Sequence, residues 1–509
     1  MPRKPHSPER FVRAHRGTLL RLLSVVVAAF LLYAPTLGFG FTYLDDDALV
    51  LDDQRFLSRP SSVWEAFSRP YFPSGGRDHA YYRPLVTASF ALDARLSGAE
   101  PFSYHLTNVL LHALASGLVF LLLRELAQRE AVALFGAWVF AFHPSLTEAV
   151  AWIPGRTDSC LTVCALLSWI FFLRSARSGH WGSRLVHLGA WLAALLCKEL
   201  ALVLPLLFAA ELALRERRSL RSWLTPWPAL AWLVVLGVYL VARTRALQGQ
   251  PSAEGLGLTS FIANAPVLLT SFGKLVLPVQ LSVLCTREGT WLWPGLLALG
   301  VVSWRVLAIK AKNERLLALF ALAAFVVTIA PSLPASSVLT LENRLYLPAV
   351  TVAILGSELC GRLAWSARAK TSAAFVLVAG LGLTSLAYSG NFRDRLTFSE
   401  TAVRGSPHSS LAHRNLGITY QLAGEVDAAR REYDAALAAD PNEPVVHNNL
   451  GVILLRKGLM ADAEQELQKE LAINPRYAPA RKNLAIVLRA RGRPDEASAL
   501  EASGEPGAN

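Results

Sequence analysis

Eleven apolar runs, separated by short polar segments, constrain the fold of this chain more than any other feature. A membrane-spanning helix needs about 20 residues. Several of the runs are shorter, so the helices that contain them must include some of the polar flanking residues. A hydrophobic share of 53% and a charged share of 17% over 509 residues exclude a soluble protein. The sequence therefore predicts an all-α, polytopic membrane protein with about eleven transmembrane helices. The runs cover residues 18–37, 105–123, 131–143, 159–173, 185–197, 199–214, 223–241, 291–304, 316–331, 345–361 and 371–388.

The basic residues lie mainly in the short segments between these runs. A formal net charge of +12 could indicate nucleic-acid binding, but basic clusters in such positions are the topology signals of a membrane protein. The basic segment before the first run resembles the start of a signal peptide. Because that run is long and no small-residue cleavage site follows it, we interpret it as an uncleaved helix whose N-terminus lies in the cytoplasm.

A further apolar run, residues 261–278, contains Pro266, Lys274 and Pro278. If this run does not cross the membrane, all the basic segments lie on the side of the N-terminus, as the positive-inside rule requires. We therefore interpret it as a re-entrant or interfacial segment. An odd number of crossings then places the loop 38–104 and everything after residue 390 on the outer face. The basic segments and the lack of an organelle signal favour a bacterial inner membrane, with the C-terminal part in the periplasm.

A period of 34 residues governs the C-terminal part of the chain. Small residues and an Asn-Leu-Gly or Asn-Leu-Ala triplet recur in this period, and a proline closes each of the first two units. This pattern is typical of tetratricopeptide repeats, which form a short α-solenoid with a concave binding surface. The recurring residues are Asn415, Asn449 and Asn483, Gly424, Gly458 and Gly492, Ala429, Ala463 and Ala497, and Pro441 and Pro475. The predicted domains are a transmembrane domain over 1–390 and three repeats within 405–502, at 411–444, 445–478 and 479–502.

Five cysteines are scattered through the chain without a ligand-like spacing to histidine. Neither a disulfide framework nor a zinc site follows from them. They are Cys160, Cys164, Cys197, Cys285 and Cys360.

Three adjacent carboxylates, Asp45, Asp46 and Asp47, follow the first apolar run. Like charges repel and resist desolvation, so this position calls for a cation, a proton or a basic partner. A solvated loop is the simpler explanation of the tripeptide taken alone. The case for chemistry depends on what the topology brings near it.

Polar residues recur at the predicted outer ends of the later helices. His105, Asn108 and His112 share one face of the second helix at about 100° per residue, although an isolated helical histidine is more often a satisfied core residue. Glu148 and Arg156 could simply pair with each other, and the charges at 198–199 are either a site or a tight ion pair. The residues gathered at this face are Arg83, His105, Asn108, His112, His143, Glu148, Arg156, Asp158, Lys198, Glu199, Glu342, Asn343, Arg344 and Tyr346.

Carboxylates and cations together at one membrane face suit a reaction that deprotonates a hydroxyl and releases a phosphate. A carboxylate can act as the base, while arginine and lysine neutralise the departing anion. The membrane location suggests that the phosphate belongs to a lipid.

Several of these segments resemble those of a known family. The matching signatures are YLDDDALV, YYRPLVTASFALDARLSGAEPFSYHLTNVLLH, FHPSLTEAVAWIPGRTD, the Lys198-Glu199 turn and ENRLYLP. With the repeats that follow, they resemble the tetratricopeptide-containing transmembrane O-mannosyltransferases and their bacterial relatives, which have the C-type membrane glycosyltransferase fold. The resemblance covers most of residues 35–350.

The resemblance implies transfer of a sugar, by inversion, from a polyprenyl-phosphate donor to a hydroxyl, with protein Ser or Thr as the acceptor and mannose as the family's sugar. It implies Asp46 as the base, with Asp45 and then Asp47 as alternatives. Arg83, Arg156, Lys198 and Arg344 would hold the lipid phosphate. His105, His112 and His143 would shape the pocket, and the substrate-binding candidates also include Asn108, Glu148, Asp158 and Glu199. Asp45 and Asp46 could hold Mg or Mn, a requirement that is uneven across the class.

Two other readings remain open. A non-enzymatic membrane platform would use the repeats to recruit partners, and a lipid-linked-sugar transporter or polymerase would use the same charged lining for passage.

Overall fold

A computed structural model describes residues 8–42, 44–72, 81–126, 128–216, 226–247, 258–284, 291–333, 341–362 and 364–502. Throughout these residues the regular secondary structure is helical. The chain forms two compact units, which meet in sequence between Asp394 and Arg395 and are described separately.

The N-terminal unit contains thirteen longer helices among its described residues. Each of the eleven predicted runs contains one of them, because apolar side chains in lipid leave the backbone no partner except itself. The helices are α1 (Pro8–Tyr33), α2 (Pro84–Ser97), α3 (Phe102–Glu125), α4 (Glu130–Ala141), α5 (Arg156–Ser178), α6 (Trp181–Cys197), α7 (Leu204–Glu216), α8 (Pro226–Ala246), α9 (Pro266–Val276), α10 (Trp293–Leu307), α11 (Lys312–Ile329), α12 (Tyr346–Cys360) and α13 (Ala367–Ser389).

Six of these helices, with short extensions, are long and apolar enough to cross a membrane: α1, α3, α5, α8, α11 and α13. Helices α4 and α10 are apolar but shorter. The chain is thus an integral, multi-pass membrane protein, while the total of eleven crossings stays a prediction. The outward faces of the long helices carry exposed leucine and valine, as contact with lipid requires.

Residues 261–278 form two short helices, Leu258–Asn264 and α9, which meet at Ala265 and Pro266. Eleven residues of helix are about 16 Å long, roughly half of the hydrocarbon thickness, so α9 alone cannot cross. Its backbone touches that of α10: a Cβ on Gly273 would lie 2.6 Å from the backbone nitrogen of Gly295. A re-entrant or interfacial position stays a prediction for this segment.

The predicted outer loop 38–104 is largely helical where it is described. It contains α2 and the short helices Gln54–Leu57 and Ser62–Glu65. Helix α2 packs on α3 and α6 through an apolar face that includes Val86 and Phe90. Another short helix, Glu148–Ala151, lies between α4 and α5. These pieces cover one end of the helix bundle with ordered backbone.

The C-terminal unit consists of a first helix and three helical hairpins. A glycine with positive φ turns each hairpin: φ is 84° at Gly424, 78° at Gly458 and 77° at Gly492. Gly417 and Gly451 lie where the two helices of a hairpin cross, and a Cβ there would collide with Tyr433 or Leu467. The helices are α14 (Arg395–Gly405), α15 (Ser410–Leu422), α16 (Val426–Ala439), α17 (Val446–Arg456), α18 (Met460–Ile473), α19 (Ala478–Ala490) and α20 (Pro494–Ala502).

Candidate active site

The three adjacent carboxylates differ in their surroundings. Asp46 is buried, and its Oδ2 accepts hydrogen bonds from the backbone N–H of Thr42, at 2.7 Å, and from the Thr42 hydroxyl. Burial raises the pKa of Asp46 to about 7, although the bonds from Thr42 oppose the shift. Asp45 and Asp47 are half-buried on either side. Asp46 therefore anchors the turn, while its neighbours retain access to solvent.

Arg83, in the predicted outer loop, lies next to two aromatic rings. Its guanidinium carbon is 4.4 Å from the ring centroid of Tyr81 and 5.1 Å from that of Tyr71. Its Nη2 is 3.3 Å from Oε2 of Glu199, and the Tyr71 N–H donates to the Tyr81 carbonyl at 2.7 Å. Stacking and pairing together fix the direction of the guanidinium.

Tyr71 connects the acidic stretch to this arginine. Burial raises the pKa of Tyr71, Arg83 lowers it, and the charge of Asp45 raises it again. The Tyr71 hydroxyl is also 3.2 Å from Oγ1 of Thr157, at the start of α5. Asp45 and Arg83 thus act on the same phenol from two segments of the chain.

Lys198 forms a two-pronged ion pair with Asp158. Its Nζ is 2.6 Å and 2.7 Å from the two carboxylate oxygens. Burial lowers the pKa of Lys198, Asp158 opposes the shift, and the nearby cations Arg83 and Arg344 lower the pKa further. Lys198 and Glu199 therefore each form an ion pair with another segment, Lys198 with Asp158 and Glu199 with Arg83.

Arg83, Lys198 and Arg344 form what we term the cationic cluster. Arg83 directly precedes α2, Lys198 lies in the α6–α7 turn and Arg344 lies just before α12, and the charges of Arg83 and Arg344 both lower the pKa of Lys198. Two carboxylates, Glu199 and Asp158, pair directly with them. No described carboxylate forms an ion pair with Arg344, so this cation favours an anionic ligand beside it.

Asn343 joins this cluster to an interior network. Its Nδ2 donates to Asp158 at 3.0 Å, and its backbone N–H donates to Glu148 at 3.0 Å. Glu342 accepts from Lys274 at 2.6 Å and from the Tyr388 hydroxyl at 3.1 Å. Burial, then the charge of Glu342, raises the pKa of Glu148 to about 8.

Arg156 is enclosed by protein. Its Nη1 pairs with Asp93 of α2 at 2.5 Å, Nε donates to Asn108 at 2.8 Å, and Nη2 donates to the Tyr104 carbonyl at 2.6 Å. The side chain has no exposed surface. The alternative that Arg156 simply pairs with Glu148 is therefore excluded, and its guanidinium is already bonded to other neighbours in the protein.

The predicted polar stripe on α3 is buried and mostly satisfied. His112 contacts the Tyr346 hydroxyl at 2.7 Å and the Ala141 carbonyl at 2.9 Å, and Asn108 donates to three carbonyls after α4. His143 contacts the Leu275 carbonyl at 3.1 Å. His105 contacts the Gly40 carbonyl at 3.4 Å, and no described group bonds its Nδ1. These side chains position loops around the cluster.

Sequence reasoning missed Tyr71 and Asp93 as residues that shape the site, and it named Lys274 and Glu342 without recognising that they pair with each other. One signal was available for Asp93. Val86, Phe90 and Asp93 fall on one helical face, so a charge occupies the apolar side of α2 and requires a buried partner. The partner itself lies 63 positions further along, which spacing alone does not show.

The carboxylates do not form a cation site. Among the described residues no group of three His, Cys, Asp or Glu side chains could hold a metal ion. One oxygen of Asp46 is already occupied by Thr42. We therefore derive no step through Mg or Mn. Of the cysteines, Cys160, Cys164, Cys197 and Cys360 are free thiols, and Cys285 lies outside the described residues.

Family comparisons match both parts of the chain. A family described as dolichyl-phosphate-mannose-protein mannosyltransferase matches residues 78–242. Tetratricopeptide-repeat families match residues 384–444, 414–478 and 478–500. The first match covers α2 to α8 and includes Arg83, Asp158 and Lys198 of the site. The repeat assignment is confirmed.

The chain is similar to protein O-mannosyl-transferases of animals. Drosophila melanogaster Tmtc1 is 39% identical over 35% of this chain and 21% of the relative, and Tmtc2 is 37% identical over 39% and 22%. A protein O-mannosyl-transferase from Caenorhabditis elegans is 26% identical over 78% of this chain and 59% of the relative. The matched region therefore spans about a fifth of the first two relatives. Together with the family matches, these similarities confirm the resemblance seen in the motifs.

Among solved structures, the crystal structure of ArnT from Cupriavidus metallidurans bound to undecaprenyl phosphate is similar to this chain at 15% identity, with a TM-score of 0.44. The alignment covers 94% of this chain and 79% of ArnT.

Proposed function

Because this chain is related to the tetratricopeptide-containing protein O-mannosyl-transferases, we propose that it transfers a sugar from a polyprenyl-phosphate donor to a hydroxyl group. One observation carries the proposal: the charges of Arg83 and Arg344 both act on Lys198, and no described carboxylate forms an ion pair with Arg344. A membrane-embedded cation cluster needs an anionic partner, and a lipid phosphate supplies one at the same depth.

The reaction balances with the groups present. A carboxylate takes the proton of the acceptor hydroxyl, whose oxygen forms a bond to the anomeric carbon of the sugar. The bond between that carbon and the phosphate oxygen breaks, and the electron pair leaves with the polyprenyl phosphate. The cationic cluster stabilises the additional negative charge on the departing phosphate. Attack opposite the leaving group inverts the anomeric centre.

Within the acidic stretch we assign the base to Asp45 ahead of Asp46. Asp45 is half-buried, and its charge raises the pKa of Tyr71, whose ring lies 5.1 Å from the Arg83 guanidinium. Asp46 is 1% exposed and committed to Thr42. A base must reach the proton that it removes. Asp46 then holds the turn that presents Asp45, and Asp47 is the remaining alternative.

The other predicted site residues divide into two groups in this proposal. Arg83, Lys198 and Arg344 bind the donor phosphate directly, and Glu199 and Asp158 orient them. Arg156, with its donors occupied, is a positioning residue that fixes the start of α5, and Asn343 holds Asp158. The polar residues His105, Asn108, His112, His143 and Glu148 support the surrounding loops.

The names of the relatives suggest the acceptor and the sugar. Animal relatives are named protein O-mannosyl-transferases, and the matching family names a dolichyl-phosphate mannose donor. We accordingly propose protein Ser or Thr as the acceptor and mannose as the sugar. The positive-inside argument places the site on the outer, periplasmic face, where the repeats could hold an acceptor segment.

The test uses the full chain in proteoliposomes with polyprenyl-phosphate mannose labelled in the sugar. Release of polyprenyl phosphate is measured with a Ser/Thr-rich peptide for Asp45→Asn, Asp46→Asn and Asp47→Asn side by side. We expect Asp45→Asn to lower turnover by about 100-fold or more at an unchanged melting temperature, as loss of a general base does. Asp46→Asn should lower the melting temperature as well.

The same assay also distinguishes sugar transfer from lipid transport and from a non-enzymatic platform. Wild-type turnover in Asp45→Asn would remove this base assignment. Donor movement between leaflets with its phosphate bond intact would indicate transport. A wild-type protein that leaves the donor uncleaved, but whose phenotype depends on residues 405–502, would favour the membrane platform.

A further inference from the structure

A polar cavity lies in the N-terminal unit, at the end of the helix bundle opposite the cationic cluster. Its volume is about 600 Å³. It is bounded by the last turns of α3, α5, α7 and α12 and by the first turns of α4 and α11. Asp158 lies in the first turn of α5, and Arg177 in its last turn lines the cavity. These two residues are separated by about 29 Å along the helix, so the cavity and the cluster lie at opposite ends of the bundle.

The lining of this cavity is charged but neutral in sum. Among the described residues it includes three arginines and three glutamates. Arg362 pairs with Glu358 at 3.1 Å and with Glu314 at 2.5 Å. The remaining charged residues of the lining are Arg129, Arg177 and Glu211.

Two walls of the cavity differ in their charged groups. Arg177 contacts Glu125 at 2.7 Å on the α3–α5 wall, and Arg129 precedes α4 and is exposed. No described carboxylate forms an ion pair with Arg129. The Glu314–Arg362–Glu358 triad forms the wall of α11 and α12. A ligand that fits both walls must carry a positive and a negative group at once.

Apolar side chains separate these walls. The lining includes Leu126, Val132, Leu173, Leu214 and Leu317. A small hydrophilic zwitterion would leave these side chains in contact with its polar atoms. A molecule with a zwitterionic head and hydrocarbon chains matches the whole lining, and the volume falls within the range of about 300–1,000 Å³ that is usual for ligand pockets.

We propose that this cavity binds the head of a zwitterionic membrane phospholipid with a primary ammonium group, of the phosphatidylethanolamine type. The phosphate contacts Arg129 and Arg177, close to the first turn of α4, whose dipole favours an anion. The ammonium donates hydrogen bonds to Glu314 and Glu358. The acyl chains lie along the leucines. A lipid with a net negative charge would bring no cation to the Glu314–Arg362–Glu358 triad, which has one more carboxylate than cation, so it binds less well.

Native mass spectrometry of the full-length chain tests this assignment. The detergent-purified protein is incubated separately with phosphatidylethanolamine, phosphatidylcholine and phosphatidylglycerol of identical acyl chains, and with soluble phosphoethanolamine. We expect phosphatidylethanolamine to be retained at least fivefold more than either other lipid, and phosphoethanolamine to be lost. Arg129→Ala should reduce retention about fivefold or more. Arg124→Ala is the matched control, since Arg124 is exposed in the last turn of α3 and does not line the cavity.

Photocrosslinking supplies the location. A phosphatidylethanolamine with a photoactivatable group near its head should label peptides that contain residues 126–132 or 313–317 in the wild type, and less in Arg129→Ala. Equal retention of the three lipids, equal loss in Arg124→Ala and Arg129→Ala, or labelling confined to other peptides would each overturn the proposal. Neither assay depends on sugar transfer, so failure of the proposed function would leave this result unaffected.

Discussion

The two ends of helix α5 contain arginines in opposite situations. Arg156 at the start has no exposed surface and contacts Asp93, Asn108 and Tyr104. Arg177 near the end pairs with Glu125 while 47% of its side chain remains exposed. The same residue type on one helix thus has a fixed role at one end and an adaptable one at the other.

The difference follows from desolvation. A guanidinium that is removed from water must have every donor directed to a partner, so its position is determined by several segments at once. An exposed guanidinium keeps its hydration and can exchange one partner for another at little cost. Specific chemistry is therefore expected at the first end, and exchangeable ligands, such as lipid heads, at the second. Substitutions at four positions test this contrast.

The largest effect should come from Arg156→Ala. This change leaves Asp93 buried without its cation, and breaking a buried pair costs about 3–5 kcal/mol of unfolding free energy. Thermal unfolding followed by tryptophan fluorescence in detergent measures the change. Arg156→Lys retains the charge but lacks the planar donors, so we expect an intermediate loss. Wild-type stability in Arg156→Ala would contradict the assigned role of this pair.

Glu148→Gln should change the pH dependence of stability. The pKa of Glu148 is about 8 in the folded protein, against 4.5 for the free side chain, chiefly because of burial. The folded protein holds a proton that the unfolded chain releases, so the stabilising contribution is complete below about pH 4.5 and is lost as pH rises through about 8. The melting temperature of Glu148→Gln relative to wild type should therefore increase from pH 5 to pH 9. A constant difference between the two proteins would refute the shifted pKa.

Lys198→Gln tests whether the cationic cluster binds a polyprenyl phosphate. Removing one of three cations should weaken binding of a polyprenyl phosphate by about tenfold, which corresponds to about 1.4 kcal/mol. Lys198→Arg should retain most of the affinity, because a cation remains beside Asp158. Tryptophan fluorescence titration with the lipid phosphate measures both. Unchanged affinity in Lys198→Gln would remove this lysine from the proposed phosphate site.

The smallest effect should come from Arg177→Ala. An exposed ion pair contributes below about 1 kcal/mol, and Arg174 remains 2.7 Å from the same Glu125. The melting temperature should change little, in contrast to Arg156→Ala. A loss as large as that of Arg156→Ala would abolish the distinction between the two ends.

The positions of the helices could be predicted because hydrophobicity and period are local properties. Every predicted apolar run contains a helix, and Gly424, Gly458 and Gly492, which the 34-residue period singled out, lie at the three hairpin turns. Topology also placed Arg83, Lys198 and Arg344 on one membrane face, which stays a prediction.

The partners of these residues could not be predicted in the same way. Arg156 pairs with Asp93 and Lys198 with Asp158, so each pair joins two elements of the sequence that only the folded bundle brings together. Neighbouring charges in the sequence, such as Glu148 and Arg156, suggested false pairs. Among the three carboxylates of the acidic stretch, Asp46 is distinguished by its hydrogen bond from Thr42 and Asp45 by its effect on Tyr71. Neither interaction follows a periodic pattern in the sequence.

The backbone contact between α9 and α10 has a consequence for experiments in detergent. Gly273 and Gly295 bring the two helices together without intervening side chains. Helices in hydrocarbon gain little from the hydrophobic effect, and close contact between backbones holds them instead by dispersion forces. Such a contact does not depend on the thickness or composition of the surrounding lipid. The short helix after Pro266 should therefore keep its place when the bilayer is exchanged for a micelle, and Gly273→Leu would displace it equally in both.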